Sequence, residues 1–136
     1  MGYEIHEHTA DVAVSATGET LEATFEAMAV GLTETHCETP PAPTASFSIH
    51  VTAESLEAIL FDFLDELIYQ RDVRYTLPVQ YSISLTELDG EWVLEGTIGG
   101  VPLADINARE IKAVTYSEME LLETESGWYA YVVVDV

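Results

Sequence analysis

Apolar residues recur along this chain with two periods, and the change from one to the other marks its elements. After Thr20, Leu21, Phe25, Met28, Ala29 and Leu32 fall at i, i+4, i+7, i+8 and i+11, one face of a helix. After Ser55, Leu56, Ile59, Leu60, Phe63, Leu64, Leu67 and Ile68 form a second, complete stripe. Glu57, Asp62, Asp65 and Glu66 fall on its wet side. Thr20 is an N-cap residue type, and Glu22 and Glu57 put negative charge in first turns, where the helix dipole favours it.

Elsewhere the period is two. DVAVSA (11–16) reads as a strand that turns at Thr17-Gly18, and SFSIHVT (46–52) alternates Phe47, Ile49 and Val51 against Ser48, His50 and Thr52. VQYSISLTEL (79–88) and EWVLEGTIG (91–99) flank Asp89-Gly90, a type I′ hairpin signal. IKAVTYSEMELLETE (111–125) and WYAYVVVDV (128–136) flank Ser126-Gly127, a second hairpin signal, and Gly99-Gly100 reads as a turn. The Pro-rich TPPAPTAS (39–46) is a loop rather than a boundary, since too little chain precedes it. The pattern predicts an α+β fold: two amphipathic helices packed on one face of a largely antiparallel sheet, a single two-layer domain over 1–136.

Composition narrows the setting. Asp and Glu number 25 against 4 Lys and Arg, a net charge of −21 on 136 residues. Such self-repulsion destabilises a compact state in dilute buffer but is screened at molar salt, where the Debye length is about 3 Å. With a normal apolar core, the acidity predicts a salt-rich, halophilic cytoplasm. It also argues against tight direct binding of nucleic acid, which needs basic patches. The single cysteine, Cys37, excludes an intrachain disulfide and fits a reducing, cytoplasmic setting. No apolar run reaches the ~20 residues of a membrane span, and MGYEIHEH is no signal peptide.

Two stretches carry candidate chemistry. HEHTADV (6–12) holds His6, His8 and Asp11, and H-x-H spacing sets both imidazoles on one side of an extended segment, as in many zinc sites. Zinc needs further nitrogen or sulfur ligands. His36 and Cys37 are candidates, although nothing in the sequence brings them near, and polar strand-edge residues are the plainer reading. A small metallohydrolase using His6, His8 and Asp11 is the enzymatic alternative. The other stretch, VVVDV at 132–136, looks built to be held in a sheet, which would fix Asp135 and the Val136 carboxylate at one place. No phosphate-binding glycine loop, Ser-His-Asp set or G-x-S-x-G motif is present.

Taken in order, these pieces resemble the archease family. HTADV followed by TLEATFEAMAVGL is similar to that family's opening, and SLEAILFDFLDELIYQRD to its second helix. IKAVTY (111–116) and GWYAYVVVDV are similar to its late strands. The resemblance spans essentially the whole chain. Asp65 stands where the family usually has asparagine, Phe63 where it often has tryptophan, and Ser117 where it commonly has histidine. The resemblance implies a protein cofactor, not an enzyme: an activator of the GTP-dependent tRNA-splicing RNA ligase. It would promote guanylylation of the ligase's active-site histidine and multiple turnover, and broaden nucleotide choice. It also implies, for some members, a chaperone-like role with a tRNA methyltransferase. The family's metal site, carried over, is Asp11, Asp135 and the Val136 carboxylate; beside it, His8 is a candidate to orient Asp11. Hard oxygen ligands suit Ca²⁺, with Mg²⁺ or Mn²⁺ as alternatives.

Overall fold

A computed structural model describes residues 2–7 and 11–136. Seven strands and two helices follow one another as β1 (Gly2–Glu7), β2 (Asp11–Gly18), α1 (Leu21–His36), β3 (Ala45–Ala53), α2 (Leu56–Arg74), β4 (Thr76–Leu88), β5 (Glu91–Pro102), β6 (Ala113–Thr124) and β7 (Gly127–Asp135). They form two antiparallel sheets, one ordered β1-β2-β7-β6 and the other β3-β5-β4. Each helix touches both sheets: α1 packs on β1, β2, β7 and β4, and α2 on β6, β3, β4 and β5. The α+β class and the two helices agree with the sequence, while the expected sheet is divided in two.

Both helices begin where the pattern places them. Thr20 Oγ1 accepts from the Ala23 N–H at 3.0 Å and Ser55 Oγ from the Ala58 N–H at 3.1 Å. The α2 stripe Ile59, Leu60, Phe63, Leu64, Leu67 and Ile68 is buried, as are Phe25, Met28, Ala29 and Leu32 of α1. Phe63 lies 6.1 Å ring-to-ring from Phe25 and 6.5 Å from Tyr81, so it occupies the centre of the core. Asp65 is exposed, but Asp62 is not freely wet. It is half-buried beside the Phe61–Tyr116 stack, and desolvation and Asp65 raise its pKa.

The 2–7 segment is a full strand paired to β2, Gly2 opposite Thr17 and Ile5 opposite Val14. Two local expectations need correction. β2 runs through Thr17-Gly18 rather than turning there. Gly99 and Gly100 lie inside β5, where a Cβ would sit 2.9 Å from Pro43 and 2.5 Å from Thr76, so close approach and not a turn requires glycine. The Asp89-Gly90 turn forms as expected, with φ of 53° and 80°.

Two polar devices tie α1 to the second sheet. Glu26 Oε2 accepts from the Ile83 N–H at 3.0 Å and Glu22 Oε2 from the Leu85 N–H at 3.3 Å, filling amides of the edge strand β4. Thr33 Oγ1 donates to the Pro78 carbonyl at 2.8 Å and meets the Tyr81 hydroxyl, which itself donates to Pro78 at 3.0 Å. Burial pushes the pKa of that phenol well above its ordinary value.

Candidate functional site

β7 lies in the middle of the first sheet, and its end answers what holds the aspartate after three valines. Val132 and Val134 face the core; Asp135 pairs directly with Asp11 of β2 on one side and Ala113 of β6 on the other. Paired residues share a face, with Cα atoms about 4.5–5.5 Å apart, so Asp11 and Asp135 face one another on the outer, helix-free side of the sheet. The Lys112 N–H donates to the Asp135 carbonyl at 2.9 Å, fixing the backbone where Val136 departs. Val136 packs partly buried against the core.

The structure thus sets Asp11 opposite Asp135, and Val136 follows Asp135 in the chain. The backbone of His6, in β1, pairs with Ala13 of β2; its side chain and the whole of His8 lie outside the described residues. Ser117 lies in β6, its side chain likewise outside them. Among the described residues no group of three His, Cys, Asp or Glu side chains is gathered to hold an ion alone. The acid pair offers oxygen only, the donor type of hard divalent cations. These residues fit an oxygen-liganded divalent ion and do not fit tetrahedral zinc.

His36 and Cys37 do not join this site. His36 closes α1, 5% exposed, and both ring nitrogens are taken. Nδ1–H donates to the Leu32 carbonyl at 2.9 Å, and Nε2 accepts from Arg71 at 2.7 Å. Burial, with the Arg71 charge adding to it, lowers its pKa from 6.5 to about 4, so the imidazole is neutral. Arg71, 6% exposed, also donates to the Ile111 carbonyl at 3.0 Å and pairs with Asp72 at 2.8 Å. Sequence reasoning missed this cluster, although the signal was present. His36 follows Leu32 by four and Arg71 follows Leu67 by four, each continuing a buried stripe. The cluster borders an open cleft of about 470 Å³ also lined by Arg109 and Glu110. Asp72 pairs with Arg71 there, and Arg109 and Glu110 add one charge of each sign to its lining. The cluster serves as a latch between α1, α2 and the segment leading into β6.

The chain is thus an antiparallel two-sheet α+β domain whose outer face carries an acid pair at a strand end. The model of the Archease protein family (MTH1598/TM1083) matches residues 3–136. The archease of Pyrococcus furiosus is 32% identical over 98% of both chains, and that of Methanosarcina mazei 34% over 98% of this chain and 95% of its own. The solution structure of protein 1598 from Methanobacterium thermoautotrophicum superposes with a TM-score of 0.84 at 28% identity, covering 99% of each chain. The archease of Thermotoga maritima shares the fold, with a TM-score of 0.67 at 22% identity over 96% of this chain and 94% of its own. This chain belongs to the archease family.

Proposed function

We propose that the chain is a non-catalytic activator of a GTP-dependent tRNA-splicing RNA ligase, using a divalent ion held by Asp11, Asp135 and the Val136 carboxylate. The ligase would be guanylylated and turn over repeatedly in its presence, and could accept a wider range of nucleotides. The observation that carries this reading is the direct pairing of Asp11 with Asp135 in a chain of this family. Two facing carboxylates repel, and a divalent ion offsets that repulsion. An ion taking 6–8 oxygens, as Ca²⁺ does, would leave positions for water or groups of the ligase. The chain's own residues set the geometry: β2 and β7 fix the two carboxylates, and the Lys112 amide fixes the strand end. With −21 net charge the chain is suited to meet a basic protein surface rather than RNA itself.

The test is a ligation assay with the cognate ligase in molar KCl, with this protein added substoichiometrically. Stimulation that disappears on chelation and returns with Ca²⁺, Mg²⁺ or Mn²⁺ is the expected result. Substrate turnover by this protein alone would instead favour the hydrolase reading on His6, His8 and Asp11. Stimulation indifferent to chelation would favour a metal-free adaptor, such as a chaperone for a tRNA methyltransferase.

A further inference from the structure

We propose that the outward face of α2 is a docking surface for a protein partner that presents arginine or lysine among apolar side chains. Under the activator reading above, on which this assignment rests, that partner is the ligase. Three observations lead there. The first is exposed apolar surface. Among the described residues six large apolar side chains are more than half exposed. Four of them, Tyr69, Val73, Tyr75 and Tyr116, lie on α2, at the cap that ends it or against it. Phe61, Asp65, Tyr69 and Val73 recur every four residues with Asp62 beside them, so all five share one side of the helix. Tyr116 of β6 lies flat on the Phe61 ring at 4.0 Å, with an interplanar angle of 6°. From Phe61 to Val73 the stripe runs about 18 Å. Continuous exposed apolar surface marks interaction sites, and tyrosine is favoured there because it buries much area at little entropic cost.

The second is charge. Asp62 and Asp65 lie between Phe61 and Tyr69 on this face. Arg71 pairs with Asp72, whereas Asp62 and Asp65 have only each other among the described residues. Desolvation and the Asp65 charge raise the Asp62 pKa, so an arriving cation would relieve a repulsion that the free protein carries. Carboxylates interleaved with aromatic rings suit arginine, which pairs with the one and stacks on the other. They repel the phosphates of RNA. They equally disfavour a second copy, which brings the same acids and whose Arg74 is already held by Gln70 and over Phe47.

The third is the backbone that carries Tyr116. After Thr115, β6 leaves the register of β7 and rejoins it only at Glu120. Glu118 within this bulge has a φ of 60°, a left-handed conformation that costs a non-glycine residue free energy. Bulges re-aim side chains beside functional sites, and this one accompanies an aromatic ring laid on α2 and left more than half exposed.

The experiment measures binding of the cognate ligase to this protein by calorimetry in molar KCl, with thermal unfolding of each variant recorded beside it. Tyr69→Ser and Val73→Ser should each weaken binding about tenfold. Leu88→Ser, more than half exposed beside the Asp89-Gly90 turn, should bind as the parent does. Asp65→Lys separates docking from folding. It replaces the repulsion on Asp62 with an attraction, so it should raise the melting temperature while weakening ligase binding about tenfold. Should a serine variant fail to fold, Asp65→Lys still decides. Parent-like binding by Tyr69→Ser, Val73→Ser and Asp65→Lys would overturn the docking surface and leave the activator reading standing. Tighter binding by Asp65→Lys would overturn the basic partner. Binding of tRNA by the parent, or its self-association in sedimentation, either one lost in Tyr69→Ser, would give the face another occupant and overturn the ligase. A parent that neither binds nor stimulates the ligase would overturn the activator reading and this partner with it.

Discussion

Acidification should loosen this protein through one histidine well before its carboxylates protonate. His36 enters the folded state neutral, its Nδ1–H on Leu32 and its Nε2 facing a guanidinium. A proton on Nε2 would replace an accepted hydrogen bond with a cation against Arg71. Its pKa falls from 6.5 to about 4 on folding. The unfolded chain therefore takes up a proton that the native state refuses. The stability from His36 is complete above pH 6.5, declines as pH falls, and is exhausted near pH 4. A drop of about 2.5 units at 1.36 kcal/mol each gives a total near 3 kcal/mol, about 2 of it gone by about pH 5. That is a sizeable part of a small domain's stability, typically about 5–15 kcal/mol. Urea unfolding in molar KCl, followed by the fluorescence of Trp92 and Trp128, measures it at several pH values. His36→Gln supplies the reference, since its amide oxygen still accepts from Arg71 but does not titrate. The difference between the two proteins cancels the shared carboxylates and the other histidines. A parent that loses no more stability than His36→Gln between about pH 7.5 and about pH 5 would refute the neutral, buried imidazole.

Other consequences can be checked alongside. The unfolding midpoint should rise steeply with KCl in chelator, as circular dichroism across a salt series would show, because −21 charges repel until screened. Asp11→Ala, Asp135→Ala or a C-terminal tag should each weaken Ca²⁺ binding in calorimetry and ligase stimulation. The double alanine variant should lose little more than either single, whereas the exposed Glu57→Ala should bind as the parent does. Tyr81→Phe removes a buried hydroxyl from the Thr33–Pro78 cluster and should cost about 1 kcal/mol by urea unfolding. Phe63→Ala, at the centre of the core, should cost about 3–5 kcal/mol by the same measurement.

Much of the fold was written in periodicity. Both helix starts and most strand cores follow from spacing, because each element buries one regular face. What escaped was set by partners distant in sequence. Tyr3 and Ile5 alternate too briefly to announce β1, which exists because β2 offers an edge. Gly99 and Gly100 look like a turn, yet they are glycines because Pro43 and Thr76 crowd them. The division into two sheets cannot be read from a hairpin, which specifies only its own two strands. At the site, the sequence supplied Asp11 and Asp135 through a family resemblance, whereas their pairing needed the β2–β7 register. His36 and Arg71 were polar residues in phase with apolar stripes, and polarity outweighed phase.

The acids that fill the β4 edge have a bearing on crowding. At the salt levels that screen this surface, charge no longer keeps neighbouring molecules apart, and an open strand edge becomes a template for aggregation. Glu22 and Glu26 occupy the Leu85 and Ile83 amides from within the same molecule, so those donors are not offered to another chain. Carboxylates in this protein therefore differ in what they do. Many are simply exposed to water, whereas Asp72 pairs with Arg71 and Asp11 faces Asp135. Glu22 and Glu26 are plugs, and a variant designed to lower the net charge that removed them would exchange repulsion for adhesion.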